Sequence, residues 1–287
     1  MILNYITWNP SPEIFTIPII DWPVRWYGLM WALAFISSFY FMNIVYKKEG
    51  RTDKELDMLT LYIIVGTILG ARLGHCLFYG PWFDEYTPNG ILIQEGYLSH
   101  PLNILKIYEG GLASHGGAIG IITAMILYCR KTGESWLWLF DRLVIVVPLA
   151  GMCIRIGNLI NSEIIGRVTT VPWAFIFVQE DNQPRHPAQL YEAIFCLFLF
   201  GLMFWLWKYK RERFGPGFMF GFLCVLLWIE RFVDEFFKEN QVAFEDAMTL
   251  NMGQWLSIPF IIVGLIMMIR SFGKTPGAYK PEMEKLD

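Results

Sequence analysis

Residues 137–160 read Leu137-Trp-Leu-Phe-Asp-Arg-Leu-Val-Ile-Val-Val-Pro-Leu-Ala-Gly-Met-Cys-Ile-Arg-Ile-Gly-Asn-Leu-Ile160, and nothing between Arg142 and Arg155 is charged. A helix crossing about 30 Å of hydrocarbon needs roughly 20 mostly apolar residues, and this run reaches that length. Six others of similar character flank it: Trp26 to Tyr46, Met58 to Tyr79, Gly111 to Cys129, Pro187 to Trp207, Phe218 to Phe237 and Gln254 to Ile269. The fold expected from them is an all-α integral membrane protein with seven transmembrane helices.

Composition agrees with that expectation. Of 287 residues, 55% are hydrophobic and 17% charged, whereas soluble domains carry about 25% charged residues. Mean hydropathy is +0.40. Twelve Trp, 13 Tyr and 23 Phe suit the aromatic belts at membrane–water interfaces. A net charge of −3 with no clustered basic face excludes a nucleic-acid partner; the partner implied is the lipid bilayer. The first residues lack a basic segment followed by an apolar core and a cleavage site, so the first helix is expected to insert uncleaved.

Basic residues set the expected orientation, because cytoplasmic loops are enriched in Lys and Arg. One set of loops, 47–54, 130–131, 208–213 and 270–285, holds fourteen of them, against five on the other side: Arg25, Lys106, Arg167, Arg185 and Lys238. This predicts an N-terminus outside and a C-terminus in the cytoplasm. The two long outer connections, 80–110 and 161–186, exceed the usual loop length and are expected to form a small ordered cap. The division expected is a seven-helix domain over 1–270 followed by a mobile tail over 271–287.

Four arginines remain in the helices: Arg72, Arg142, Arg155 and Arg231. An Arg at mid-bilayer costs about 2.5–3.5 kcal/mol on insertion scales and marks a functional site by default. The depth of the polar groups is shared. Tyr27, Arg72, His75, His115, Arg155, Asn158, the run His186, Gln189 and Glu192, and the run Glu230, Arg231, Asp234 and Glu235 all fall towards the outer ends of their helices, with Asn161 and Glu163 just beyond. A site opening to the outer leaflet follows. Residue by residue, alternatives stay open. Arg231 and Glu235, four apart, read either as a structural ion pair or as substrate contacts. Arg155 has no acid nearby in its own helix and reads as an anion ligand, or as a partner of Glu163 or Glu235. Arg72 and His75 read as side chains snorkelling to the interface. Gly66, Gly70 and Gly74 read as a helix-packing stripe. His115, set among glycines, reads as structural or as approached by a ligand.

Other chemistries lack their residues. The four histidines show no zinc-ligand spacing, so no metal and no cofactor is expected. The five cysteines fall on five different helices without a Cys-x-x-Cys. No lysine in the seventh helix offers a retinal Schiff base, and hydrolase and nucleotide-binding motifs are missing.

The run Arg155-Ile-Gly-Asn158-Leu-Ile-Asn161-Ser-Glu163-Ile-Ile-Gly166-Arg167 resembles the signature of the bacterial prolipoprotein diacylglyceryl transferases. The resemblance extends, in the family's order, to Tyr27-Gly-Leu-Met30, Gly70-Ala-Arg-Leu-Gly74, His115-Gly-Gly-Ala-Ile-Gly120, His186-Pro-Ala-Gln-Leu-Tyr-Glu192, Arg231-Phe-Val-Asp-Glu-Phe-Phe237 and Met252-Gly-Gln-Trp-Leu-Ser-Ile-Pro259. It implies an inner-membrane enzyme with a periplasm-facing site and cap. Such an enzyme moves the diacylglyceryl group of phosphatidylglycerol onto the lipobox cysteine in the signal peptide of a preprolipoprotein, forming a thioether and releasing glycerol phosphate. Motif by motif, the family's important residues fall on Tyr27, His115, Arg155, Asn158, Glu163, Gly166, Arg231 and Glu235. Two departures stand out: Lys238 occupies a position where the family often has Arg, losing the bidentate fork, and Leu227 replaces an expected tyrosine.

A thiol must then attack an sp3 carbon while a phosphate ester leaves. Arg155 and Arg231 are expected to clamp the phosphate, with Asn158 and Tyr27 completing its hydrogen bonds and Glu163 and Glu235 orienting the arginines. His115 is the expected activator of the thiol, which is only a few per cent ionised near pH 7. Gly166 is expected to serve a close backbone approach or a left-handed turn. The competing class is a transporter of a small anion or lipid using the same arginines; the inner halves of the helices, however, show no polar path and the chain no repeated halves.

Overall fold

The computed structural model describes residues 5–18, 21–106, 111–239 and 248–274. The tail expected to be mobile lies outside them beyond residue 274. Seven α-helices carry the described chain: α1 (Trp26–Lys48), α2 (Asp53–Phe78), α3 (Ser114–Thr132), α4 (Trp136–Ile160), α5 (Ala188–Lys210), α6 (Phe218–Asp234) and α7 (Met252–Phe272). Five of them, α1, α2, α4, α5 and α7, are long and apolar enough to cross a membrane. Of the other two, α6 has only 17 residues, about 26 Å at 1.5 Å per residue. The N-terminal turn of α3 is polar and small, Ser114-His115-Gly116-Gly117.

Helix starts follow local chemistry. Charged residues extend α2 beyond its apolar run, because Thr52 and Glu55 close a reciprocal capping box, and Asn251 with Gln254 does the same for α7. At α6 the cap comes from elsewhere in sequence: the fully buried Asp141 accepts the N–H groups of Gly217 at 2.7 Å and Phe220 at 2.9 Å. A carboxylate there satisfies orphan donors and complements the helix dipole. Pro148 and Pro259 sit inside α4 and α7, and both helices continue through them.

The chain forms two compact units; the first draws its described residues from Met1–Val45 and Phe140–Tyr279, the second from Tyr46–Leu139. In the first unit, Val45, Ile145, Leu199, Met203, Trp207 and Phe218 make a dry cluster among α1, α4, α5 and α6. Helices α6 and α7 approach until a Cβ on Gly221 would stand 2.7 Å from the carbonyl oxygen of Gly264. Beyond the far end of α4 lies a three-stranded sheet of β1 (Ile6–Trp8), β6 (Phe175–Phe177) and β7 (Pro184–Arg185), in the order β1-β6-β7. Strand β1 runs parallel to β6, pairing Ile6 with Phe175, and β7 runs antiparallel to β6. Phe175 and Phe177 pack on Leu159, and Trp8 Nε1 donates to the Leu159 carbonyl at 2.8 Å. A hairpin of β2 (Glu13–Ile17) and β3 (Trp22–Arg25) leads into α1.

In the second unit the glycine stripe is packing. A Cβ on Gly70 would lie 2.7 Å from Gly120 Cα, and one on Gly74 would lie 2.7 Å from Gly116 Cα. Backbone contact of this kind between α2 and α3 needs small residues on both sides. Arg72 does not snorkel, as the sequence led one to expect: it is 5% exposed and donates to the carbonyls of Asn103 at 2.6 Å, Ile104 at 2.9 Å and Gly111 at 3.2 Å. The guanidinium is held by backbone of the 80–110 connection, which also carries the short hairpin of β4 (Glu85–Tyr86) and β5 (Leu92–Gln94). Near the opposite end of α2, Arg51 pairs with Glu134.

Candidate functional site

One cluster of charged groups in the first unit lies where α4, α5, α6 and the start of α7 meet the 161–186 connection. Arg155 Nε donates to Glu192 Oε2 on α5 at 2.7 Å. Its Nη1 reaches Asn158 Oδ1, one turn along α4, at 3.5 Å. The other terminal nitrogen, Nη2, has no protein partner among the described residues, and the side chain is 20% exposed. A guanidinium held along one edge and open at the other has donors left for an anion.

Arg231 on α6 is arranged the same way. Its Nη2 lies 3.3 Å from Glu235 Oε1 and the side chain is 35% exposed. Glu235 is itself held from α7, because Asn251, which caps that helix, donates its Nδ2 to Glu235 Oε2 at 2.9 Å. Gly253 leaves room for this carboxylate: a Cβ there would meet Glu235 Cδ at 2.5 Å. Arg231 and Glu235 therefore do form the ion pair that their spacing allows.

Between the two arginines stands Lys238. Its ammonium lies 2.7 Å from Glu192 Oε1, 2.9 Å from Asp234 Oδ2 and 3.9 Å from Glu235 Oε1. The lysine backbone is fixed too, since Gly166 bridges to it and Arg167 Nε donates to its carbonyl at 2.7 Å.

Glu163, expected to orient an arginine, contacts none. It accepts from Asn158 Nδ2 at 3.0 Å and Asn161 Nδ2 at 3.1 Å, so it fixes the amide of Asn158, whose oxygen faces Arg155. Two left-handed residues produce this turn, Ser162 at φ 56° and Ile164 at φ 57°. A β-branched residue in that region is a genuine outlier, and such strain persists where surrounding structure holds it. Gln189, fully buried, clamps the turn by donating its Nε2 to the Glu163 carbonyl at 2.5 Å.

Gly166 answers the question the sequence left open. It has no positive φ; instead a Cβ would lie 2.6 Å from His186 Cβ and 2.8 Å from the Phe237 carbonyl oxygen. Close backbone approach is its reason. Tyr27 on α1 packs against α4, where a Cβ at Gly157 would meet its Cδ2 at 2.7 Å. His115 belongs to the second unit, where it is exposed on the first turn of α3.

Tyr27, Arg155, Asn158, Glu163, Gly166, Arg231 and Glu235 thus share one unit. Sequence reasoning gave no role to Glu192, Asp234 or Lys238. Its available signals were periodic: His186, Gln189 and Glu192 repeat every three residues along the start of α5, and Asp234 precedes Lys238 by four. Outside the helices, the neighbouring connection is closed by Arg185, which donates to Asp181 at 2.6 Å and to Glu239 at 2.7 Å. The hydrogen bonds from Arg185 hold the Asp181 carboxyl below its ordinary range. Among the described residues no group of His, Cys, Asp and Glu could hold a metal ion.

Known proteins resemble this chain along nearly its whole length. The family model described as prolipoprotein diacylglyceryl transferase matches residues 12–270. A Bacteroides fragilis protein named phosphatidylglycerol–prolipoprotein diacylglyceryl transferase is 43% identical over 280 residues, covering 93% of this chain and 95% of its own. Proteins of the same name from Tolumonas auensis and Nitrosomonas europaea are 43% and 41% identical, covering 92% and 91% of this chain.

Proposed function

Because the chain belongs to the prolipoprotein diacylglyceryl transferase family, we propose that it transfers the sn-1,2-diacylglyceryl group of phosphatidylglycerol to the lipobox cysteine of preprolipoproteins, using the Arg155 and Arg231 guanidiniums on the leaving phosphate. The relatives' name supplies the donor and the acceptor class. The observation that supports the site is that both guanidiniums are each anchored by one carboxylate and, among the described residues, keep donors unused.

In this reading the thiolate sulfur attacks the glyceryl carbon of the lipid, a C–S bond forms and the C–O bond to phosphate breaks with its electron pair going to the phosphate oxygen. The thiol proton leaves to a base or to the departing phosphate. Charge on that phosphate grows during the step. Fixed donors aimed at developing charge, in a site of low dielectric, stabilise the transition state more than the bound lipid. Asn158, held by Glu163, and Tyr27 complete the hydrogen bonds of the headgroup. His115 activates the thiol; this role rests on its motif match.

All seven helices cross the inner membrane in this reading, α3 and α6 included, with the N-terminus outside and the connections 80–110 and 161–186 on the periplasmic side. Support comes from the basic residues, fourteen in one set of loops against five in the other. Burying the charged end of α6 among α5 and α7 is also consistent with a span that never meets lipid on that side.

Purified protein, phosphatidylglycerol vesicles and a lipobox peptide test the reading together: a thioether-linked lipopeptide with release of glycerol phosphate is expected. Anion flux through the protein in liposomes without that product would favour a transporter.

A further inference from the structure

Lys238 belongs to neither guanidinium arm, yet it touches both. Its side chain is 3% exposed, against 6%, 4% and 12% for the carboxylates of Glu192, Asp234 and Glu235 around it. Two of these three each hold one arginine: Glu192 gives Oε2 to Arg155 and Oε1 to Lys238, while Glu235 gives Oε1 to both Arg231 and Lys238. A continuous line of contacts therefore runs Arg155–Glu192–Lys238–Glu235–Arg231 across α4, α5, α6 and the turn that follows α6. Its centre is anchored by backbone, because the Lys238 N–H returns to the Asp234 carbonyl at 3.2 Å and the Lys238 carbonyl receives Arg167.

Charge explains why the centre must be a cation. Without the ammonium, three nearly buried carboxylates would face one another, and like charges at this separation repel strongly in a medium of low dielectric. Glu192, its Oε1 released, would then turn further onto Arg155, and Glu235, still held by Asn251 through Oε2, would give its Oε1 to Arg231 alone, so that donors open among the described residues are taken up. We propose that Lys238 is a positioning residue of the transfer reaction: by holding Oε1 of Glu192 and sharing Oε1 of Glu235 with Arg231 it sets the spacing and the free donors of Arg155 and Arg231. The proposal rests on the reading above, in which those arginines grip the phosphate. Its effect falls on turnover. The phosphate of the donor lipid bears one negative charge and the departing monoester gains a second, so guanidinium geometry matters more in the transition state than in the bound lipid.

The test compares Lys238→Met and Lys238→Arg in the full-length chain, alone and in an Arg155→Lys background, with phosphatidylglycerol vesicles and a lipobox peptide, each preparation normalised by its thermal transition in detergent. Lys238→Met is expected to lower kcat about 30-fold with KM for phosphatidylglycerol changed less than about threefold, a loss confined to the transition state. Lys238→Arg keeps the cation and is expected to return kcat to within about threefold of the natural chain. In the Arg155→Lys background, Lys238→Met should cost less than about threefold, because residues acting through one another are not additive. Should Lys238→Met not accumulate, Lys238→Gln takes its place with the same thresholds, and failure of both to accumulate would make Lys238 a folding residue and overturn the proposal. Unchanged kcat, a change confined to KM, no rescue by Lys238→Arg, or the same loss in both backgrounds would overturn it as well. No thioether product from the natural chain would sink the functional reading itself and this proposal with it.

Discussion

Arg155 and Glu192 are joined by a 2.7 Å ion pair between α4 and α5 in which the glutamate side chain is 6% exposed and the arginine 20%. The carboxylate is committed to protein, while the guanidinium keeps one edge free. Replacing Arg155 by Lys keeps the charge and removes the fork, so transfer is expected to fall at least about 100-fold, the scale for losing a preorganised donor. Single-turnover assays with labelled phosphatidylglycerol measure it, and a variant at the natural rate would remove Arg155 from the site.

Glu192→Gln should cost stability as well as activity. It leaves Lys238 and Arg155 short of their shared anion, and breaking one side of a buried ion pair costs about 3–5 kcal/mol. A lowered melting transition in detergent, together with loss of product, is the expected result; a variant as stable as the natural chain would show that the pair contributes little.

Gly166→Ala tests close packing at a place where no backbone strain is involved. The added methyl would lie 2.6 Å from His186 Cβ and 2.8 Å from the Phe237 carbonyl oxygen, so the backbone at Gly166 must move away from both. Overpacking of this kind costs about 1–3 kcal/mol, and here it should displace Lys238, to which Gly166 is bridged. Loss of transfer larger than loss of folded protein is the expected pattern.

Gly70→Val is expected to disturb the second unit by separating α2 from α3, since even a Cβ would meet Gly120 Cα at 2.7 Å. Gly28→Ala, whose added methyl would meet nothing within 4 Å, serves as the comparison. Thermal melting of both in detergent should show a large drop for the first and a small change for the second.

Asp181 gives a pH dependence of definite sign. Arg185 holds its carboxyl below the ordinary value, so the folded state favours the ionised form. The stabilisation is fully present above the unfolded pKa, about 3.9 for Asp, and is lost as pH falls through the depressed folded value. Proteolysis of the 161–186 connection should therefore accelerate in acid below that range in the natural chain. In Asp181→Asn the same connection should be cut readily at neutral pH, with the acid dependence reduced; an unchanged profile would show that the pair does not hold the connection.

Much of the fold was legible because apolar length and helix period are local properties. The run 137–160 and the helix observed from Trp136 to Ile160 differ by one residue, and Phe218 begins α6 in both readings. Starts set by capping, such as Asp53 in α2, were missed because Thr52 and Glu55 act through hydrogen bonds that apolar length does not register. Arg72 was misread for a related reason: its partners are carbonyls of a connection more than thirty residues away.

The sequence by itself determined that this is a membrane protein of the diacylglyceryl transferase type, and on which helices its arginines stand, because hydrophobic period and motif order are written along the chain. Which carboxylate serves which arginine was decided only in three dimensions. Glu163 is nearer Arg155 in sequence, but the left-handed turn at Ser162 and Ile164 aims it at Asn158. Glu192, thirty-seven residues on, arrives instead because α5 packs its polar face there, and Lys238 then draws the two arms into one charged line. Ion pairing is short-ranged in space and indifferent to separation along the chain, so only packing could choose among the acids available.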